Sequence, residues 1–336
     1  MKIPEKPLHI LAWILLSPVV LLSALWCVGA AYYTFPWSGV WRSVGSCVYA
    51  AVLFGTLAAG FRRRVLFLIP AAVGAATFLF YAHLTPEIRF HSVEWQTPWA
   101  RQPKVEFHAD GTVTVSDMRN FRYRTPEVYE VAYTRMSFDP KTVAATDLAV
   151  SHWDGLQAVA HTMLSFAFDD GRHLAVSMET RLPKGAEQGF LPGLFKQYEV
   201  MMLLAPEEDL FRLRTDYRQE ELYLYRTNAT REQSLMLLTA VLHAADRLLT
   251  RPRFYNSITT NCTTSLAPLL HWINPAFNGD IRLLANGYSD RLLYDLGYLA
   301  CRDGESFEDL KRRSLARPVP QAPPEEYSAA LRAQNP

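Results

Sequence analysis

Cys262 ends the polar run Tyr255-Asn256-Ser257-Ile258-Thr259-Thr260-Asn261 and begins an apolar stretch in which Leu266, Leu269, Leu270 and Ile273 recur at three- and four-residue spacing. That spacing predicts a helix, with Thr263 or Thr264 near its start and Cys262 at or beside its N-terminus. Unpaired N–H groups and the positive end of the helix dipole stabilise a thiolate there, and the same amides can hold an oxyanion. A thiolate nucleophile needs a base. His161 stands at the start of a predicted strand pair, 162–168 and 173–179, joined by Asp169-Asp170-Gly171, and Glu179 at the far end is placed to orient it.

Each of these residues has a plainer reading. Cys262 is equally a buried apolar filler or half of a disulfide with Cys301, which lies on the same side of the membrane. His161 is by default a surface or capping residue, like His83, His108, His152, His173, His243 and His271, and Glu179 is a salt-bridge partner for Arg181. Glu207-Glu208-Asp209 reads as a solvated turn or, less simply, a cation site. Metal-ligand spacings of the HExxH or CxxC type are absent, as are GxSxG and Walker loops, so no metal is expected.

The elements that must hold these residues divide the 336-residue chain sharply near residue 84. From Leu8 to Tyr32 there is no Asp, Glu, Lys or Arg, and further uncharged runs cover 43–61 and 65–82. A helix of about 20 apolar residues crosses a bilayer, so residues 1–84 are expected to form a membrane domain of three transmembrane helices. Three consecutive helices apolar on all sides could hardly be buried in a soluble core of the remaining size. Arg62-Arg63-Arg64 marks a cytoplasmic hairpin, while the Tyr32–Trp41 loop holds no base and is rich in aromatic residues. The N-terminus is therefore expected in the cytoplasm and everything beyond residue 84 outside it.

Residues 85–103, with Trp95 and Trp99 among prolines, read as a juxtamembrane connector. An α+β domain is expected over 104–313. Its strands are predicted at 104–108 and 112–116 around Ala109-Asp110-Gly111, at 127–136, in the 162–179 hairpin, and at 197–204, 210–214 and 221–225. An amphipathic helix is predicted over 231–249 from Leu235, Leu238, Val241, Leu242, Ala245 and Leu248. Residues 314–336, with Pro318, Pro320, Pro323 and Pro324, read as a disordered tail. With 34 Lys+Arg against 33 Asp+Glu the chain shows no basic footprint, which argues against a nucleic-acid partner.

Several ordered motifs resemble one family. They are Met118-Arg-Asn-Phe-Arg-Tyr123, His161 to Gly171, Val176 to Arg181, Gly193 to Glu199, Asp209 to Arg214, and Tyr255-Asn256 with Asn261-Cys262-Thr263-Thr264. Together, over about 100–300, they are similar to the Lnb N-terminal periplasmic domain; the three spans and the Pro-rich tail lie outside the resemblance. It implies a permuted papain-like fold of the NlpC/P60 type, in which the His strand precedes the Cys helix, the chain order seen here. It further implies an acyltransferase of the inner membrane that moves an acyl chain from phospholipid, through a Cys thioester, to the N-terminal amine of a lipoprotein. Cys262 would then be the nucleophile, His161 its base and Glu179 a third member, with Asn261 and Tyr255 as substrate-binding residues. A membrane-tethered peptidoglycan amidase or endopeptidase of NlpC/P60 type, and a non-enzymatic tethered scaffold, are the alternative expectations. A thiolate–imidazole pair needs no cofactor.

Overall fold

The structure, a computed structural model, describes residues 5–36, 38–60, 62–85, 93–153, 155–260, 280, 282 and 286–334. It divides into two units, residues 1–94 with 188–197, and residues 95–187 with 198–336.

In the first unit the uncharged runs fold as helices α1 (Glu5–Thr34), α2 (Val40–Gly60) and α3 (Leu68–Leu79), the last preceded by a 3₁₀ turn and extended by a π-helical turn to Leu84. Among the described residues three segments, Leu16–Thr34, Val40–Gly60 and Val65–Leu84, are long and apolar enough to span a membrane. They pack through small contacts: Ala24, Cys27 and Leu53 are buried together, and Tyr49 Oη lies 2.7 Å from Thr77 Oγ1. A short helix, α4 (Phe190–Gly193), belongs to this unit although strands of the second unit flank it in sequence.

The second unit is built on strands. A three-stranded antiparallel sheet pairs β1 (Lys104–Phe107), β2 (Val113–Arg119) and β5 (Tyr133–Phe138), and β3 (Arg122–Tyr123) pairs with β4 (Tyr129–Glu130). The main sheet is six-stranded and antiparallel in the order β11-β10-β6-β7-β8-β9. Its strands are β6 (Val143–His152), β7 (His161–Phe168), β8 (His173–Arg181), β9 (Glu199–Ala205), β10 (Glu221–Arg226) and β11 (Leu315–Ala316). Asp169-Asp170-Gly171 turns β7 into β8, with Gly171 at φ 82°, a left-handed conformation that glycine adopts without strain.

Both faces of this sheet are covered, so its central strands are buried almost throughout. On one face Leu148, Val150, Leu164, Phe166, Val176 and Met202 meet Leu238, Val241, Leu242 and Ala245 of α6 (Arg231–Thr250). This helix starts in a reciprocal capping box between Thr230 and Gln233. On the other face Met163, Ala175, Met201 and Leu203 meet Leu210 and Phe211 of α5 (Glu208–Tyr217), a π-helix, and Tyr327 and Leu331 of α9 (Tyr327–Ala333). Two further helices, α7 (Ser289–Asp295) and α8 (Phe307–Ser314), complete the unit.

Three expectations are corrected. Residues 210–214, read as a strand from their alternation, lie in α5. Trp95 forms an isolated bridge with Pro183 and Trp99 packs against the second core, so residues 95–103 belong to the sheet domain rather than to a connector. The Pro-rich tail is ordered, not disordered: Tyr327 is fully buried with the Arg212 guanidinium over its ring, and Leu331 is 2% exposed. The predicted helix after Cys262 lies outside the described residues.

The C-terminal segment therefore contributes to the core. Tyr327→Ala is expected to cost about 3 kcal/mol, the usual scale for removing a buried aromatic side chain, and to lower the midpoint of urea unfolding in detergent. An unchanged midpoint would show that the segment does not pack.

Candidate functional site

The site begins with strand register. β7 and β8 pair Met163 with Ser177, and two residues further along each strand the same face presents His161 and Glu179. Side chains on one face of a strand recur every second residue, so Ser177, next on that face of β8, comes between them. His161 Nε2 lies 2.5 Å from Ser177 Oγ and 3.3 Å from Glu179 Oε1, and Ser177 Oγ donates to the same carboxylate oxygen at 2.6 Å. The His161 and Glu179 side chains are each only 15% exposed. In this low-dielectric setting the charge–hydrogen-bond array is stronger than it would be in water.

Burial works to raise the Glu179 carboxyl pKa. The charge and hydrogen bond of His161, with help from Arg214 and Ser177, outweigh it and hold Glu179 well below the ordinary carboxylate range. Arg214 comes from α5, where its Nη2 lies 3.4 Å from Glu179 Oε1 and its Nε lies 3.7 Å from Glu220 Oε2. Its Nη1 donates to the Leu210 carbonyl at 2.8 Å, which fixes the side chain along its own helix. Glu220 accepts from Ser151 Oγ at 2.6 Å, and Ser151 is the register partner of His161 on β6. A ring of polar contacts thus surrounds His161 on three adjacent strands.

α5 is itself positioned by a buried ion pair. Arg119 of β2 donates to Asp209 Oδ1 through Nε at 2.8 Å and Nη2 at 2.6 Å, and the Phe121 amide donates to Asp209 Oδ2 at 2.5 Å. Asp209 and Arg119 lie in the sequence runs Asp209 to Arg214 and Met118 to Tyr123, so two of the resembling motifs hold one another.

The acids at 207–209 are consequently not a solvated turn: Glu207 and Asp209 are each 1% exposed. Glu207, Asp147 and His173 bring one donor atom each within 4.8 Å of one another, close enough for a cation to be held among them. The positive charge that meets these carboxylates in the structure is a guanidinium. Arg332 of α9 supplies positive charge there, with Nη2 at 2.6 Å from Asp147 Oδ2 and at 2.7 Å from Glu207 Oε1. Ser165 Oγ donates to Glu207 as well, at 2.5 Å. Burial acts to raise the Glu207 pKa, but Arg332, His173 and Ser165 bring it down to about 2.

Of the predicted site residues, His161 and Glu179 come together. Tyr255 is partly buried against the first core, its amide donating to the Tyr198 carbonyl at 3.0 Å. Asn256 then closes a turn by accepting from the amides of Ile258 and Thr259, each at 3.0 Å. Cys262 and Asn261 lie outside the described residues. Cys301 is a free, exposed thiol, as Cys47 is, and Cys27 is free and buried. Sequence reasoning missed Ser177 and Arg214: a serine in a strand carries no signal, although its alternation with Glu179 put both on the face of His161.

The chain thus combines three segments long and apolar enough to span a membrane with an α+β domain that carries a buried His–Ser–Glu array on its main sheet. Residues 129–287 match the family model of the Lnb N-terminal periplasmic domain, and this match together with the three candidate membrane helices supports a membrane-anchored protein with a periplasmic domain. No curated protein and no solved structure matches the chain.

The Glu207 cluster sets a pH dependence. Its folded pKa of about 2 lies below an unfolded value of about 4.3, so its stabilisation is full above about pH 5 and lost as pH falls towards 2. The difference corresponds to about 3 kcal/mol. Unfolding followed from pH 6 to pH 2 is expected to show this loss in the native protein and a flatter profile in Glu207→Gln; superimposable profiles would refute it.

Proposed function

We propose that the protein is a Cys–His acyltransferase anchored in the bacterial inner membrane, with its N-terminus in the cytoplasm and its sheet domain in the periplasm. Phospholipid is the acyl donor and an amine, the N-terminus of a lipoprotein, is the acceptor. The observation that carries this reading is the His161–Ser177–Glu179 array, buried on paired strands inside the family-matched region. The basic Arg62-Arg63-Arg64 loop between the second and third spans supports the orientation.

In this mechanism Cys262 is the nucleophile and His161 takes its proton. Since Nε2 of His161 faces Ser177 and Glu179, Nδ1 is the nitrogen that serves the thiol. The thiolate attacks the ester carbonyl of the phospholipid, and backbone amides near Cys262 are assigned to stabilise the oxyanion. The C–O bond breaks, and the departing alkoxide of the lysophospholipid takes the proton from His161, leaving a thioester. The acceptor amine then attacks the thioester, gives a proton to His161, and the thiolate leaves as the amide forms. Glu179, kept ionised by Arg214, stabilises the imidazolium in both steps. Asn261 and Tyr255, which precede Cys262 in sequence, are assigned to substrate binding. The family's permuted papain-like fold is part of this proposal, as is the absence of a required cofactor.

Incubation of the detergent-solubilised protein with acyl-labelled phospholipid tests it. Label is expected on Cys262, released by neutral hydroxylamine and absent from Cys262→Ala. Label absent from a reactive Cys262 thiol would contradict the acyltransferase and favour hydrolysis of a peptide or muropeptide. His161→Ala is expected to abolish labelling, whereas Glu179→Gln slows it by about 10²-fold or more, the scale of a general-base orienting group. Equal, negligible losses in both would show that the base lies elsewhere.

A further inference from the structure

Residues 188–197 interrupt the main sheet's sequence between β8 and β9, yet they fold with the membrane helices. The contacts are specific. Phe195, 6% exposed, stacks on Tyr33 with ring centroids 5.3 Å apart and planes 12° apart, and Gly29 leaves the space its ring occupies. Gln197 Nε2 donates to the Tyr33 carbonyl at 2.9 Å, and Tyr81 Oη donates to the Leu194 carbonyl at 3.2 Å. Lys196 Nζ donates to the Tyr81 carbonyl at 2.5 Å and sits 4.1 Å from the centroid of that ring.

Tyr33 and Tyr81 fall in the last turns of the first and third spans, so the segment is fixed where two spans end. Tyrosine and lysine at such a level are the anchors of a membrane interface, apolar body towards lipid and polar tip towards water. From this base α4 carries two large apolar side chains outward, Phe190 at 62% exposure and Leu191 at 58%. Exposing a pair of this size to water on a short anchored helix is unfavourable, and the neighbouring spans identify what covers them.

We infer that Gln188–Gln197 is an interfacial membrane element, docked on the ends of the first and third spans, which places Phe190 and Leu191 among the lipids of that leaflet. The bilayer, rather than a protein, is the partner. Interfacial segments of this kind bury apolar side chains at the headgroup–acyl boundary. The consequence is a second attachment: the periplasmic domain's own chain returns to the membrane between β8 and β9, independently of the link that follows the third span. This assignment does not depend on the acyltransferase chemistry.

The test is site-specific photo-crosslinking of the full chain in phospholipid nanodiscs, with benzoylphenylalanine at 190 or 191. Leu22 in the first span, 66% exposed, and Val128 in the sheet domain, 55% exposed, are the membrane and aqueous references. Lipid adducts at Phe190→benzoylphenylalanine and Leu191→benzoylphenylalanine are expected at the level of position 22 and about tenfold above position 128. Adduct yields no higher than at 128, or a cross-linked dimer in place of lipid, would overturn the inference.

Discussion

Carboxylates buried beneath the second face of the main sheet must be met by cations, and much of the outer domain is arranged around that requirement. Asp147, Glu207 and Asp209 are at most 2% exposed, a setting in which an unpaired charge would cost several kcal/mol. Each is met by an arginine from another element: Arg226 and Arg332 at Asp147, Arg332 again at Glu207, and Arg119 at Asp209. The partners come from β10, α9 and β2, so satisfying the charges joins the small sheet, the main sheet and the C-terminal helix. Such pairs add little net stability over apolar packing, but losing one partner is costly, and this is how they specify a single arrangement.

The same rule reaches the site. Glu179 stays ionised because Arg214 and His161 offset its desolvation, and an ionised Glu179 is what holds Ser177 and Nε2 of His161 in line. Arg214 is aimed by α5, and α5 is fixed through Asp209 to Arg119. Positioning of His161 therefore extends, in three charged steps, to a strand of a different sheet. In the proposed mechanism the imidazole's precision would depend on this support, because a displacement of about 1 Å can cost two orders of magnitude in rate.

Much of this was legible in the sequence. The uncharged runs gave the spans, the Asp-Asp-Gly turn gave the β7–β8 hairpin with His161 and Glu179 at one end, and helical periodicity placed 231–249. What escaped was whatever tertiary charge pairing decides. β6 is not among the predicted strands; its Asp147 and Ser151 are buried against partners far away in sequence. Residues 210–214 alternate like a strand, but the π-helix that contains them turns Asp209 towards Arg119 and Arg214 towards Glu179. The prolines after residue 316 suggested disorder, whereas Tyr327, Leu331 and Arg332 beyond them fill an apolar gap and a charge gap together.

The central claim is that His161 activates the thiol of Cys262, and the rate of alkylation of Cys262 by iodoacetamide as a function of pH tests it most directly, without any assumption about substrate. Only a thiolate reacts, so the profile reports its formation, and an imidazole partner moves the inflection below the ordinary cysteine value of about 8.5. The account predicts an inflection at least about one unit below that value in the native protein and its return towards about 8.5 in His161→Ala. The same inflection in both proteins would contradict it.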